Sequence, residues 1–450
     1  MDVIAAIATG LAPSAIGIVR LSGEDCARVA GAVVKPVSGK PLWEAPNRRQ
    51  CLATLYNVSG QVLDEILAVY TRAPNTYTGE DTVELHCHGS PAVLCACLEA
   101  LFHYGARQAG PGEFTKRAFL HGRMDLTQAE AVIDLIDAQT AQAAANAAGQ
   151  VGGSLRRAFA PIYSDFTDIC SHFHAVLDYP DEDIPDFQLE AFLDTLQNAE
   201  NTLRRLHESF SRGQYLRQGV QTVLLGKPNA GKSSLLNALA GYDRVIVTQI
   251  PGTTRDTVEE TVKLGSVLLR LTDTAGIRDT HDPIESMGVE RSLACARDAQ
   301  LALWVCDGTT PITPEDRRAM EAAKLAPHAI ALINKQDLSG FALPEELPFE
   351  TVIPVSAKTG AGLQSLSENI EALFGTKPDG TILTNARQAG CVERAAEATA
   401  SAIAALETGL TPDAVLLDVE AAMEALGELT GQCVREEITN RIFERFCVGK

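Results

Sequence analysis

The stretch that decides the fold of one part of this 450-residue chain is Gly226-Lys227-Pro228-Asn229-Ala230-Gly231-Lys232-Ser233. It follows the apolar run Thr222-Val223-Leu224-Leu225 and precedes the helical pattern Ser234-Leu235-Leu236-Asn237-Ala238-Leu239. A glycine-rich loop of this type between a strand and a helix is typical of a phosphate-binding loop. Such a loop turns backbone N–H groups inward around phosphate oxygens, and the helix N-terminus adds a favourable dipole.

The residue types in this loop predict how a nucleotide is held. We expect Lys232 to reach the β- and γ-phosphates and the Ser233 hydroxyl to bind Mg²⁺. The residues of the loop and the first helical turn that we expect to contact the nucleotide are Asn229, Ala230, Gly231, Lys232, Ser233 and Ser234.

A second motif, Asp273-Thr274-Ala275-Gly276, follows the apolar pattern at 267–272. An aspartate at that strand end can hold the Mg²⁺ shell through water, and the glycine N–H can meet the γ-phosphate. We therefore expect all four residues of the motif to line the nucleotide site.

Two further motifs select the base. Asn334-Lys335-Gln336-Asp337 follows the apolar run 329–333, and Ser356-Ala357-Lys358 follows the run 350–355. Asp337 can accept two hydrogen bonds from guanine N1–H and the 2-amino group, a donor pair that adenine lacks. Ser356-Ala357-Lys358 is expected to contact the guanine O6. Together with the phosphate-binding loop, these motifs predict GTP.

The segment between the first two motifs predicts a γ-phosphate sensor. It reads Thr248-Gln249-Ile250-Pro251-Gly252-Thr253-Thr254-Arg255-Asp256, and Thr254 is the residue that we expect to bind Mg²⁺. Ile277 stands where Ras-type GTPases carry the glutamine that orients the attacking water. Either hydrolysis is slow or another group does this work. A bound monovalent cation can supply the missing positive charge, and Asn229 offers it a side-chain carbonyl.

The bulk composition predicts a soluble globular protein of two to four domains. Hydrophobic residues make up 46% of the chain and charged residues 21%. No uncharged apolar run is long enough to span a bilayer, and the N-terminus resembles neither a secretory signal nor a transit peptide. The 11 cysteines include no C-x-x-C pair, which is typical of reduced thiols. We expect a cytoplasmic protein without a membrane anchor.

The net charge of −20, from 58 acidic and 38 basic residues, limits how this chain can bind nucleic acid. It argues against binding through a broad electrostatic field. Contact with nucleic acid would therefore need a local basic patch or a partner protein.

Changes in sequence pattern predict three domains. Residues 1–118 have an α+β pattern, residues 217–377 alternate strand and helix, and residues 119–216 and 378–450 are mostly helical. The helical segments flank the α/β unit, so we expect the unit to be inserted into one discontinuous helical domain. Strands of the α/β unit are predicted at 221–225, 267–272, 301–306, 329–333 and 350–355.

Local patterns also predict details of the first helical segment. Thr127-Gln128-Ala129-Glu130 reads as a capping box that starts a helix. Pro161 and the Asp- and Pro-rich segment 178–186 are expected to interrupt the helical pattern.

The motifs together resemble the Era/TrmE group of GTPases, and three stretches outside the α/β unit resemble the MnmE (TrmE) family of tRNA modification GTPases. These stretches are Pro111-Gly112-Glu113-Phe114-Thr115-Lys116-Arg117-Ala118-Phe119-Leu120, Asp125-Leu126-Thr127-Gln128-Ala129-Glu130-Ala131 and Arg441-Ile442-Phe443-Glu444-Arg445-Phe446-Cys447-Val448-Gly449-Lys450. The resemblance covers essentially the whole chain and implies a Ras-like P-loop GTPase domain inserted in the helical domain.

For the N-terminal domain, the resemblance implies a folate-binding fold that also forms a homodimer. The implied ligand is a tetrahydrofolate derivative, in the 5-formyl or 5,10-methylene form. The positions that match the family's folate contacts are Arg20, Glu84, Arg123 and Lys450, with arginine at 123 where the family often has lysine.

For the GTPase domain, the resemblance implies K⁺-dependent hydrolysis across a pair of such domains. The K⁺ positions are the Asn229 side chain, the Thr248 and Ile250 carbonyls and Thr253. Ser233 and Thr254 match the Mg²⁺ ligands. Glu285 matches the family's water-orienting acid and supplies the group that Ile277 lacks.

The implied reaction adds an aminomethyl-type (carboxymethylaminomethyl) group at C5 of the wobble uridine of certain tRNAs. The implied partner is a FAD- and NADH-dependent tRNA modification protein. Cys447 is placed near the folate site, either as a nucleophile or as a pocket residue. The alternative is an Era-like GTPase switch in ribosome assembly. That function predicts a basic RNA-binding domain after the GTPase domain, whereas this C-terminal region is acidic and helical.

Overall fold

A computed structural model of the chain describes residues 2–178, 189–242, 259–273, 293–376, 380–432 and 436–449. The predicted site residues that lie outside the described residues are Thr248, Ile250, Thr253, Thr254, Thr274, Ala275, Gly276, Glu285 and Lys450.

The chain divides into two compact units. The first unit consists of Met1–Ile133, Gln150–Phe192 and Ser401–Lys450, and the second consists of Asp134–Gly149 and Leu193–Ala400. The domain boundaries expected from the sequence, 1–118, 119–216 with 378–450, and 217–377, remain a prediction.

A mixed sheet forms the centre of the first unit. Its described strands are β1 (Ile4–Ile7), β2 (Ser14–Ser22), β3 (Val34–Pro36), β4 (Gln50–Tyr56), β5 (Val62–Thr71), β6 (Thr82–Gly89) and β7 (Arg107–Gln108). They lie in the order β3-β4-β5-β6-β2-β1-β7. Only the described pair β1–β7 is parallel, and the other neighbours are antiparallel.

Side-chain alternation decides what the two faces of this sheet carry. In β6, Val83, Leu85 and Cys87 are buried in a core shared with α1 (Cys26–Val33) and α2 (Pro91–His103). Glu84 alternates with these residues and therefore lies on the opposite face, paired in register with Arg20 of β2.

A 3₁₀ turn at Leu42–Glu44 lies between β3 and β4 in the chain. Several helices follow the last strand of this sheet. They are α3 (Glu113–Leu120), α4 (Leu126–Asp137), α5 (Ala141–Val151), α6 (Ser154–Asp178) and α7 (Leu189–Gln218). Two sequence predictions for this region are wrong.

The capping box of α4 lies two residues before the predicted one. The Gln128 backbone N–H donates to Asp125 Oδ1 at 2.9 Å, and the Asp125 N–H donates to Gln128 Oε1 at 3.0 Å. The Thr127 hydroxyl donates to the same Asp125 oxygen and is itself buried. Asp125 is therefore the residue that caps the helix, because a carboxylate accepts from both groups at once.

Pro161 lies within α6 and does not interrupt it. A proline in a helix interior costs about 3 kcal/mol. The same helix buries Phe159, Ile162, Phe166 and Phe173, each worth about 1.5–3 kcal/mol on burial. Tertiary packing therefore outweighs the local preference. The other predicted break begins at Asp178, the residue where α6 ends, and otherwise lies outside the described residues.

A mostly parallel sheet forms the centre of the second unit. Its described strands are β8 (Val220–Leu225), β9 (Glu259–Leu264), β10 (Val267–Asp273), β11 (Leu301–Asp307), β12 (His328–Asn334) and β13 (Thr351–Pro354). Their order is β13-β12-β11-β8-β10-β9, and β9 is antiparallel to β10. All five predicted strands are confirmed, whereas β9 was not predicted.

The helices α8 (Lys232–Tyr242), α9 (Pro314–Ala323) and α10 (Leu363–Phe374) accompany this sheet, and residues 293–298 are also helical. Every residue of β11 is buried, as expected for a central parallel strand covered on both faces. The loops after β8, β11, β12 and β13 share the carboxyl edge of the sheet, where ligands bind in folds of this type. The described chain continues as α11 (Ala386–Glu407), α12 (Pro412–Thr430) and α13 (Glu436–Phe443).

Candidate functional sites

The phosphate-binding loop joins β8 to α8, as predicted. Gly226 has a φ of +153°, and a Cβ atom there would lie 2.2 Å from the Val305 carbonyl oxygen. Gly231 has a φ of +97°, and a Cβ atom there would lie 2.2 Å from Asn334 Nδ2. Only glycine allows this backbone to approach the ends of β11 and β12 so closely.

Lys232 is held inside the loop. The side chain is buried, and Nζ donates to the carbonyl oxygens of Gly226 at 2.7 Å and Lys227 at 2.9 Å. These bonds place a positive charge within the turn that the motif predicts to surround a phosphate.

Asn229, Ser233 and Ser234 are exposed around this charge. Asn229 has a φ of +61°, a left-handed conformation that asparagine tolerates better than most residues. Ser233 and Ser234 occupy the first turn of α8. The hydroxyl and amide oxygens predicted as cation ligands are thus accessible at the loop.

Asn334 connects the phosphate-binding loop to the segment predicted to recognise the base. The residue is buried, and its Nδ2 donates to the Ala230 carbonyl oxygen at 3.0 Å. Its Oδ1 accepts from the Ala357 N–H at 3.1 Å. One amide therefore fixes the relative position of two loops from different parts of the chain.

The second base-recognition segment, Ser356-Ala357-Lys358, orients Asp337. The buried Ser356 hydroxyl donates to Asp337 Oδ1 at 2.7 Å and accepts from the Thr359 N–H at 3.1 Å. Asp337 itself is exposed, as is Lys358. The acceptor predicted to meet the base is therefore held in place while it remains accessible.

Lys335 makes an ion pair that the sequence did not predict. Its Nζ lies 2.6 Å from Oδ2 of Asp307, the last residue of β11. Burial favours the neutral form of Asp307, but Lys335 and Thr309 outweigh this effect and hold the pKa of the carboxyl below its usual value. The available signal was an aspartate at the end of a predicted strand, the same position that singled out Asp273.

Asp273 ends β10 and is in register with Leu224 of β8. It therefore lies at the same edge of the sheet as the phosphate-binding loop. The structure brings the described residues of all four predicted motifs to this edge.

A second cluster of predicted residues lies in the first unit. Arg20 Nε donates to Glu84 Oε1 at 2.9 Å, and the guanidinium carbon lies 5.8 Å from the ring centroids of both Tyr77 and Phe114. Sequence reasoning missed both aromatic residues as site residues, although Phe114 lies within a motif that carried the family resemblance. The cluster combines a charge pair with two aromatic rings.

Arg123 contacts the segment that carries Tyr77. Its Nε donates to the Thr76 carbonyl oxygen at 3.0 Å, directly before Tyr77. Tyr77 in turn shares a 2.9 Å hydrogen bond with Thr115 of α3. Arg20 and Glu84 are thus in direct contact, and Arg123 is linked to them through the segment that carries Tyr77.

A buried arginine supports the same segment. Arg117 of α3 has a side chain only 5% exposed and pairs with Glu80 at 2.9 Å, Asp2 at 2.8 Å and Glu113 at 3.1 Å. Burial alone would lower the pKa of Arg117, but Glu80 and, less strongly, Glu113 raise it. The guanidinium therefore joins α3 to the segment on which Tyr77 lies.

Cys447 lies beside the start of α3. Its carbonyl oxygen accepts from the Gly112 N–H at 3.3 Å, and Val448 forms an antiparallel bridge with Pro111. Its thiol is exposed. The Cys447 backbone is thus bonded to Gly112, two residues before Phe114, whose ring lies beside Arg20.

Comparison with known proteins identifies the family. A model of the MnmE helical domain matches residues 126–447, and a model of the N-terminus of the GTP-binding protein TrmE matches residues 3–123. The tRNA modification GTPase MnmE of Heliobacterium modesticaldum is 41% identical over 467 aligned residues, with 100% of this chain and 99% of that protein covered. The chain belongs to the MnmE family of tRNA modification GTPases.

A second curated relative agrees with membership of the MnmE family. MnmE of Symbiobacterium thermophilum is 42% identical over 454 residues, again with 100% of this chain and 99% of the relative covered. A solved structure of an Era variant from Aquifex aeolicus bound to GDP and AlF₄⁻ is 26% identical over 40% of this chain and 66% of Era. Its TM-score of 0.27 is too low to relate the two folds. Within the described residues, no helix is both long and apolar enough to cross a membrane.

Proposed function

We propose that this protein is a K⁺-dependent GTPase that takes part in modifying the wobble uridine of certain tRNAs. The observation that carries the GTPase part is Asn334, which joins the phosphate-binding loop at Ala230 to the base-recognition segment at Ala357. Membership of the MnmE family favours tRNA modification over a switch in ribosome assembly.

The residues of the second unit fit GTP and Mg²⁺. Lys232 would meet the β- and γ-phosphates, and the exposed Ser233 hydroxyl would bind Mg²⁺ together with Thr254. Asp337, oriented by Ser356, would accept hydrogen bonds from guanine. Mg²⁺ would neutralise charge on the phosphates, which is the chemistry that it supplies in this class of enzyme.

The hydrolysis step would use a cation and an acid in place of an arginine finger and a glutamine. Asn229 is exposed at the loop, where its amide oxygen would bind K⁺ together with Thr248, Ile250 and Thr253. Glu285 would accept a hydrogen bond from the attacking water and orient it. A second copy of the chain, dimerised through the N-terminal domain, would bring two such sites together.

The modification step would use the first unit. Glu84 is a half-buried carboxylate that can accept hydrogen bonds from the amino groups of a pteridine, and Tyr77 and Phe114 offer apolar ring faces. The ligand would be a tetrahydrofolate derivative held by Arg20, Glu84, Arg123 and Lys450. Cys447 would act beside it, as a nucleophile or as a pocket residue. A FAD- and NADH-dependent partner protein would complete the cytoplasmic tRNA-modifying complex.

Nucleoside analysis of tRNA tests the modification. A strain that lacks this gene should lose the carboxymethylaminomethyl-type wobble uridine, and the wild-type gene should restore it. A Lys232→Ala gene should not restore it, because the variant lacks the phosphate-binding ammonium group. An unchanged uridine profile in the deletion strain would refute the modification role.

Separate measurements test the GTPase role of Glu285. Glu285→Ala should bind GTP with wild-type affinity but lose most of the hydrolysis rate, since water orientation acts on the chemical step. Glu346→Ala, an exposed acid of the second unit, serves as the control. Loss of GTP binding in Glu285→Ala would mean that the residue has a structural role.

A further inference from the structure

Lys227, the second residue of the phosphate-binding loop, makes contacts through both its side chain and its backbone carbonyl group. Its Nζ donates to Asp316 Oδ2 at 2.9 Å and to the Thr310 hydroxyl at 3.2 Å. Its carbonyl oxygen accepts from Lys232 Nζ at 2.9 Å and from the Ala230 N–H at 3.3 Å. Lys227 therefore connects the start of α9 to a carbonyl group that accepts a hydrogen bond from Lys232.

Asp316 is a rigid anchor for this side chain. Its carboxylate is fully buried and forms a capping box with Thr313 at the start of α9, with the Thr313 N–H donating at 2.9 Å and the hydroxyl at 2.7 Å. The Asp316 carbonyl oxygen accepts from Trp304 Nε1 of the buried strand β11 at 3.2 Å. The anchor is thus fixed to the core of the sheet.

Both partners are charged at neutral pH. Burial would raise the pKa of Asp316, but hydrogen bonds from Thr313 and the ion pair with Lys227 lower it. Burial would lower the pKa of Lys227, but Asp316 raises it. A charge-assisted bond between well-ordered partners is strong and directional, unlike an ion pair between mobile surface side chains.

We propose that Lys227 is a positioning residue for nucleotide binding, which Asp316 fixes so that the Lys227 and Gly226 carbonyl groups aim the Lys232 ammonium group at the β-phosphate. This proposal rests on the proposed function of the loop as a guanine-nucleotide site. Gly226 is fixed by its close approach to Val305 of β11, and Lys227 is fixed by its ion pair with α9. The two carbonyl groups that hold Lys232 thus have separate supports.

Comparison of GDP with GMP separates this role from general loosening of the fold. GMP lacks the β-phosphate that Lys232 would contact, whereas it keeps the base, ribose and α-phosphate. Lys227→Met removes the charge but keeps most of the side-chain volume. We expect its dissociation constant for GDP to rise on the order of tenfold, which corresponds to about 1.4 kcal/mol, and its dissociation constant for GMP to stay unchanged.

Two further variants complete the experiment. Lys324→Met is the matched control, because Lys324 follows the same helix α9 and pairs with Glu321 at 2.7 Å but does so at the surface. It should bind both nucleotides as the wild type does. Lys227→Arg keeps a charged donor for Asp316 and should recover most of the GDP affinity.

Each outcome decides the proposal. It is overturned if Lys227→Met binds GDP as tightly as the wild type, or if GMP and GDP affinities fall equally. Should Lys227→Met not fold, judged by circular dichroism, Lys227→Gln replaces it, and equal GDP affinity in that variant and the wild type overturns the proposal. If wild-type protein binds GMP, GDP and GTP at no measurable affinity, the proposed function itself fails, and this proposal fails with it.

Discussion

Asn334 and Ala230 lie 104 residues apart in the chain, yet the Asn334 side-chain amide donates to the Ala230 carbonyl oxygen at 3.0 Å. The same amide accepts from the Ala357 N–H at 3.1 Å. The phosphate-binding loop is therefore positioned directly by the motif that is predicted to select the base, and binding of phosphate and base should be coupled.

Removing this amide should weaken nucleotide binding. Asn334→Ala leaves the buried Ala230 C=O unpaired, at about 1–3 kcal/mol, and also removes the acceptor of the part-buried Ala357 N–H. We expect the dissociation constant for GDP to rise between about tenfold and a hundredfold. Asn369→Ala is the matched control, because Asn369 donates to the Ser365 carbonyl oxygen of its own helix, α10, at an exposed position. Equal GDP affinity in both variants, measured by calorimetry, would show that the amide does not couple the two loops.

The Arg117 cluster should be a large contributor to the stability of the first unit. Arg117→Met leaves Glu80, which is 9% exposed, without its buried cation, and breaking such a pair costs about 3–5 kcal/mol. Urea unfolding followed by fluorescence measures this. The chain has 2 tryptophans, Trp43 and Trp304, so a Trp304→Phe background leaves only Trp43 of the first unit. Arg28→Met, at a surface pair with Asp25, should change the unfolding free energy by less than about 1 kcal/mol.

Glu113 should make the first unit sensitive to acid. Burial raises the pKa of its carboxyl, but Arg107, the Gly110 N–H and Arg117 together lower it below the unfolded value. A lowered folded pKa contributes stability above the unfolded pKa, and this contribution is lost as pH falls through the folded pKa. Glu113→Gln should therefore lower the free energy of unfolding at pH 7. Below about pH 4.5, this free energy should decline less in the variant than in the wild type. A decline in urea midpoints that matches the wild type would contradict this.

Potassium dependence is testable at Asn229 without straining the backbone. Alanine would be unfavourable at a φ of +61°, whereas Asn229→Gly keeps this conformation and removes the side chain with its amide oxygen. We expect wild-type GTP hydrolysis to be faster in K⁺ than in Na⁺, and Asn229→Gly to lose most of that difference while still binding GDP. Hydrolysis rates measured in the two salts decide this, and a wild type indifferent to the cation would refute the K⁺ site.

The role of Cys447 can be separated from that of an ordinary exposed thiol. Cys447→Ser should abolish uridine modification if the thiolate is a nucleophile, and reduce it only slightly if the residue lines the pocket. GTP hydrolysis should be unaffected in either case. Cys95→Ser, at an exposed cysteine on α2, is the control. Loss of modification in both variants would show that the effect does not belong to Cys447.

The sequence predicted the α/β unit well because its central strands are buried on both faces. The run 301–306 is apolar throughout, and the runs at 221–225, 267–272, 329–333 and 350–355 are each followed by a motif that must lie at one edge of the sheet. β9 escaped prediction because Glu259–Leu264 mixes three charged residues with short apolar ones, as an edge strand does. Its position depends on pairing with β10, which local pattern does not encode.

The site was predictable where it is built from motifs and unpredictable where it depends on distant pairs. Lys232 and Ser233 followed from their spacing, but the Lys227–Asp316 pair joins residues 89 positions apart. Tyr77 and Phe114 have no spacing relation to Arg20, so their rings could be placed beside it only by the fold. Pro161 shows the same limit within one helix, because its tolerance depends on what the helix buries.

The bridge between Val448 and Pro111 can form only late in the synthesis of the chain on the ribosome. At roughly 5–20 residues per second, Val448 emerges on the order of 20–70 seconds after Pro111. Until then Gly112 has no Cys447 carbonyl to bond, and Phe443 and Phe446 cannot pack with Leu126, Ala129 and Val132. The strands of the second unit are all translated earlier. The nascent chain can thus complete its nucleotide-binding sheet first and close the unit that bears Arg20 and Glu84 last.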